Sequence, residues 1–197
     1  MKRVILLSLL VACLAACAWA SEGNHPYLEY TDDSGTCRQF IQTNSHWNHS
    51  TIFVFEDFPH DRMYVSMNVT HKRVGAVKLV LRAKREGQDL QQIRLKSFGH
   101  GGKGENLRDT VFGDESAEHF PIWPSEAPFT GMFQPDIPLS RIDGTPMAKW
   151  TLLAINRDGH TPRIDDWSMT FCKDGFEDTS SGKKRSFHRS GDTRVAH

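Results

Sequence analysis

From about residue 51 to residue 172 the chain alternates between apolar and polar positions with a period of two. In the run Met-Tyr-Val-Ser-Met-Asn-Val-Thr-His, Met63, Val65, Met67 and Val69 share one face, and Tyr64, Ser66, Asn68 and Thr70 the other. Successive side chains of a strand point to opposite faces, so this run predicts a half-buried strand. The same pattern sets Val77, Leu79 and Leu81 against Lys78 and Arg82, and pairs Ile93 with Leu95. It sets Trp150, Leu152 and Ala154 against Leu153 and Ile155, and Trp167, Met169 and Phe171 against Ser168, Thr170 and Cys172. Thr51 to Phe58 is a further, more apolar candidate. Turn residues punctuate the runs at Arg73-Val74-Gly75, Glu86 to Asp89 and Arg157 to His160. No window carries a capped helical stripe. Short strands with regular turns predict an all-β chain, an antiparallel β-sandwich or jelly roll.

The two flanks differ from this middle. Lys2 and Arg3 precede a nearly unbroken apolar run from Val4 to Ala18, and Ala18-Trp19-Ala20 supplies small residues for cleavage, so residues 1–20 read as a secretory signal. No other apolar stretch approaches the roughly 18 residues of a membrane span. Leu14-Ala15-Ala16-Cys17 also matches a bacterial lipobox, which in a bacterium would make Cys17 a lipid-anchored N-terminus. Residues 21–50 read as an extension with the first strand or strands, and residues 173–197 as a polar, basic tail with too few apolar residues to order itself. The expected location is extracellular or within the secretory pathway.

Once the signal is removed, only Cys37 and Cys172 remain of the four cysteines. In an oxidising compartment the pair predicts one disulfide; two free thiols are the alternative. Asn48-His49-Ser50 and Asn68-Val69-Thr70 are glycosylation sequons, usable on a eukaryotic route. Loss of Lys2 and Arg3 leaves 22 basic and 24 acidic residues, a net charge of −2, which argues against nucleic acid as a partner.

Several motifs echo catalysis. Gly144-Thr145-Pro146-Met147-Ala148 is close to the nucleophile motif of subtilisin-type proteases, with proline where the serine must be. Asp32-Asp33-Ser34-Gly35 and Phe98-Gly99-His100-Gly101-Gly102 faintly match the aspartate and histidine motifs. Acyl transfer needs a nucleophile beside an oriented base; Pro146 has no hydroxyl, so no catalytic residue is assigned. The ten histidines are scattered, without the spacing of a zinc site. Asp109, Asp114 and Glu115, around Gly113, are the oxygen-rich cluster that calcium takes; a solvated acidic loop is the other reading. Arg82 to Arg85 and the tail's Lys183, Lys184 and Arg185 match sites cut by dibasic-specific secretory proteases, the first protected at a strand end and the second reachable.

From about Met63 to Phe171 the chain resembles the P domain, or Homo B domain, of subtilisin-like proprotein convertases of the kexin and furin type. The resemblance rests on His71 with Gly75, the hairpin glycine Gly87 and Asn106-Leu-Arg-Asp-Thr-Val-Phe-Gly-Asp-Glu-Ser116. It continues through Ala127-Pro-Phe-Thr-Gly-Met-Phe133, Lys149-Trp-Thr-Leu-Leu153 and Asp166-Trp-Ser-Met-Thr-Phe171, in the family's order over roughly 110 residues. It implies a galactose-binding-like jelly roll of about eight strands, here residues 51–172, with no catalytic residues of its own. Ala76 and Gly113 stand where the family has aspartate, and Lys149 replaces a glycine; the lost acids weaken any calcium site carried over. The function implied is a secreted accessory module that binds a protein, a subtilisin-like protease being the natural candidate; Phe129, Met132 and Phe133 are either its apolar contact residues or part of the core. Two alternatives stay open: the non-catalytic part of a serine endopeptidase whose catalytic domain is not in this chain, and a lectin-like carbohydrate binder.

Overall fold

The computed structural model describes residues 27–31, 37–43, 45, 47–123 and 127–173. Ten strands appear: β1 (Tyr27–Thr31), β2 (Cys37–Thr43), β3 (His49–Val54), β4 (Arg62–Thr70), β5 (Val77–Lys84), β6 (Gln91–Lys96), β7 (Leu107–Gly113), β8 (Phe129–Phe133), β9 (Ala148–Asn156) and β10 (Arg163–Cys172). They form two sheets, one ordered β1-β2-β10-β4-β7-β8 and the other β3-β9-β5-β6. Every pair is antiparallel except β7 with β8, which run parallel. The sandwich is thus the expected one, and it reaches back through β1 and β2 into the stretch before residue 51.

The alternation explains the two layers. On the larger sheet, Met63, Val65 and Met67 of β4 lie opposite Phe171, Met169 and Trp167 of β10. On the smaller, Leu79, Leu81 and Ala83 of β5 lie opposite Ala154, Leu152 and Trp150 of β9. All twelve are buried in one core. Each large apolar side chain so buried stabilises the fold by about 1.5–3 kcal/mol before the entropy of ordering is counted.

The strand directions sort the loops into two ends. At one end the β4–β5, β6–β7 and β9–β10 loops interlock: the Val74 N–H donates to Gly104 O (2.7 Å), Gly75 N–H to Gly102 O (3.0 Å) and Arg157 N–H to Ala76 O (3.1 Å). Gly75 is required there, because a Cβ would stand 2.3 Å from the Gly102 carbonyl oxygen. The other end gathers the β3–β4 loop, the β5–β6 hairpin and the β8–β9 connection. The Cys37–Cys172 disulfide closes that end across residues directly opposed on β2 and β10.

The aromatic contacts expected of the Pro-Phe-Thr-Gly stretch need correction. Phe129 and Phe133 are 1% and 5% exposed and cannot meet a partner. Both rings pack 4.9 Å from Phe120, because they are the alternate inward residues of β8. Met132, on the opposite face, is 39% exposed.

Candidate functional site

The end that carries the disulfide also holds an open cavity of about 480 Å³, lined by Asp57, Phe58, Pro59, His60, Gly144, Thr145 and Pro146. Its first wall follows β3, where the apolar alternation gives way to the turn-forming run from Glu56 to Asp61. The Asp61 N–H donates to Cys172 O at 2.8 Å, which pins this wall to the last strand. Its second wall is the Gly144-Thr145-Pro146 loop leading into β9. Three bonds hold this loop by its carbonyls: Arg85 Nε and Nη2 donate to Thr145 O (3.0 and 2.6 Å), and Trp150 Nε1 donates to Pro146 O (2.8 Å). Gly144 has φ +96°, open to glycine, and a Cβ there would meet the Arg85 guanidinium at 3.4 Å.

Arg85 is itself buried, with its guanidinium 5.7 Å from the Trp150 ring. Burial lowers its pKa, opposed by the charge of Asp143. The residue is therefore shielded inside the fold, and Arg82 to Arg85 is no open cleavage site. Burial also pushes His60 below its ordinary value, against the Phe58 backbone and Asp61, while the Arg85 charge adds to the lowering. Its ring stands edge-on to Phe171 at 5.2 Å.

Thr145, His60 and Asp57 thus share one cavity, a composition that suggests a nucleophile, a base and an orienting acid. No hydrogen bond joins Thr145 to His60 or His60 to Asp57 among the described residues, and the Thr145 group that is held is its carbonyl. The other echo, Phe98 to Gly102, lies in the β6–β7 loop at the opposite end, and Asp32 to Gly35 falls outside the described residues. What the cavity offers is a partly apolar concavity. Phe55 and Met147, next in sequence to its two walls, and Leu90 on the β5–β6 hairpin are 64%, 48% and 49% exposed.

The acidic trio does not converge. Asp114 accepts the N–H groups of Leu139 and Ser140 (2.6 and 2.9 Å), fixing the 3-10 turn Leu139–Arg141. Asp109 is exposed on β7 with φ +48°, its N–H donating to Asn68 Oδ1 at 2.8 Å. Among the described residues no group of three or more His, Cys, Asp or Glu side chains could hold a metal ion. The trio does not form the oxygen cage that calcium takes.

The sequons differ in surroundings. Asn48 is exposed in the loop before β3. Asn68 is half-buried within β4, and its Nδ2 donates to Asp166 Oδ1 at 2.9 Å. Cys17 and Lys183 to Arg185 lie outside the described residues, and among those residues no helix is long and apolar enough to cross a membrane.

A second polar cluster carries no sequence signal beyond a histidine ending a strand. His71, buried after β4, has Nε2 2.8 Å from the His160 carbonyl and 3.6 Å from Asp158 Oδ1, while Arg73 Nε lies 3.3 Å from Asp158 Oδ2. Desolvation would raise the Asp158 carboxyl, but the His160 N–H and the charges of His71, Arg73 and His160 outweigh it and hold the group below its ordinary value. The cluster ties the β4–β5 and β9–β10 loops together.

No family model matches the chain, and no curated protein matches it. Two solved structures are similar to it. One is the complex of Aeromonas sobria serine protease with the chaperone ORF2, at 12% identity and a TM-score of 0.39, covering 82% of this chain and 29% of that one. The other is the serine protease of Aeromonas sobria, at 10% identity and a TM-score of 0.37, covering 81% of this chain and 29% of that one. The chain thus spans less than a third of either.

Proposed function

We propose that the chain is a secreted, non-catalytic P-domain-type module that binds a protein partner through its cavity end, the partner implied by the sequence pattern being a subtilisin-like protease. The observation that carries this reading is where the family-like stretches fall. Asn106 to Ser116 spans β7, Pro128 to Phe133 spans β8, and the two tryptophan stretches are β9 and β10. Their large side chains, Phe112, Phe129, Phe133, Trp150, Trp167 and Phe171, are all core. The pattern therefore encodes a scaffold, and recognition falls to the surface the scaffold leaves open. A concave, partly apolar end with exposed Phe55, Leu90 and Met147 is the kind of surface that a protein partner covers.

The test is a native pull-down of the full chain from its own secretions, probed with a fluorophosphonate that labels active serine hydrolases. Recovery of a labelled protease with an unlabelled chain is expected, and Met147→Asp is expected to release it. A chain recovered without any protease overturns the reading. A lectin-like role has one observation in its favour: Trp47 and Trp123 are 66% and 73% exposed, broad flat faces of the kind sugars stack on. Retention on a glycan column, lost in Trp47→Ala and Trp123→Ala, would decide for it.

A further inference from the structure

Lys96, the last residue of β6, is fully buried. The alternation makes Ile93 and Leu95 the inward residues, so a lysine at the next position belongs outside. Instead its side chain runs beneath the β4–β5 turn. Nζ donates to Val74 O at 2.9 Å, Val77 O at 2.6 Å and Ser97 O at 3.0 Å. An ammonium has three N–H donors, and here each meets one carbonyl. Among the described residues no carboxylate lies within ion-pair distance of it. The charges that act on it are Asp136, which favours the ammonium, and Arg157, which opposes it. Asp136 is itself engaged by Arg94 (3.1 Å) and faces His100 (3.5 Å). The Phe120 ring, its centroid 5.5 Å away, forms another side of the enclosure.

Backbone oxygens are among the ligands that hard cations take, and here three of them converge on one positive centre with no counter-ion in contact. One of those oxygens belongs to the 3-10 turn Val74–Ala76 and one to Val77 just after it, and the Val74 and Gly75 N–H groups dock on the β6–β7 loop. The Val74 carbonyl also accepts the Val77 N–H within the turn, so loss of Lys96 takes away one of its two donors, and a buried carbonyl that loses a charged donor destabilises that end. We infer that the carbonyls of Val74, Val77 and Ser97 form a cation site whose resident is the chain's own Lys96 ammonium. This tethered nitrogen supplies the donors that hold the loop end together. The inference stands apart from the partner proposed above.

Lys96→Ala removes a fragment the size of propylammonium, which makes the site testable by replacement. Thermal melting of the full mature chain is followed about one pH unit below the Lys96 value of about 7, where the ammonium form prevails. The variant is expected to melt about 10 °C lower than the parent. Propylammonium chloride at tens of millimolar should restore at least half of that, while tetramethylammonium chloride, which has no N–H, and 1-propanol, which has no charge, restore none. A chelator should leave the parent's melting unchanged. Melting of Lys96→Ala at the parent's temperature, or equal rescue by all three additives, overturns the inference. If Lys96→Ala does not fold, Lys96→Met decides: it fills the channel without a donor, and parental stability in that variant would show that the carbonyls need no cation.

Discussion

At the scale of single residues, two buried cations do different work. Arg85 grips one carbonyl with two donors and so holds a wall of the cavity. Hydrogen bonds to charged groups are worth about 1.5–3 kcal/mol, so Arg85→Met is expected to lower the unfolding free energy by about 2 kcal/mol in urea titrations. Lys should rescue only part of this, since its ammonium lacks the planar fork. Lys96 makes a pH prediction. Burial, opposed by Asp136, brings its pKa from 10.5 down to about 7, so above pH 7 the fold releases a proton that the unfolded chain keeps until about 10.5. The unfolded state then binds more protons, and stability rises with pH across that window by up to ~1.4 kcal/mol per unit. Denaturant titrations between those limits should show the rise in the parent and its absence in Lys96→Met. Among the asparagines, the surroundings predict that a eukaryotic secretory host glycosylates Asn48 rather than Asn68, whose amide is committed to Asp166. Loss of the glycosidase-sensitive mass shift in Asn48→Gln, and not in Asn68→Gln, would confirm it. Lys96 could not have been foreseen: a lysine after Ile93-Arg94-Leu95 reads as solvated, and only the turn folding over it makes it interior.

At the scale of elements, the clean alternators were legible. β4, β5, β9 and β10 each carry three or more buried apolar residues at every second position or close to it, and β6 carries two, and apart from Lys96 their faces came out close to what the pattern dictates. β2 was illegible because Gln42, 2% exposed, occupies an inward position that periodicity reserves for an apolar side chain. β8 reads as a loop because Gly131 breaks it, with φ +112°. The candidate cavity was illegible for another reason: its walls are residues 57–60 and 144–146, far apart in sequence and joined only by strand order. The carboxylates show the converse. Asp109, Asp114 and Glu115 are close in sequence, but two backbone N–H groups occupy Asp114, and the trio forms no cage. The disulfide was legible by count alone. It links positions 135 residues apart, and a loop of that size corresponds to about 4–5 kcal/mol in the chain-entropy model. Replacing both cysteines by serine should lower stability by an amount of that order, read from urea midpoints without change in the far-ultraviolet spectrum at low denaturant.

At the scale of the whole molecule, sheet order decides when the fold can exist. β10 is the last strand of the described chain, yet it lies in the middle of the larger sheet, between β2 and β4. Every earlier strand can be present while β2 and β4 still have no neighbour to share, and the two halves of that sheet remain unjoined. Long-range strand pairing of this kind is slow, and exposed edges invite wrong pairings while it is pending. A growing chain therefore cannot close its sandwich until residue 172 has emerged. The same residue then carries the sulfur that locks β2 to β10, so closure of the sheet and oxidation of the thiols become one late event. Cys37 meets its disulfide partner only at that event, so sheet closure and thiol oxidation depend on one another.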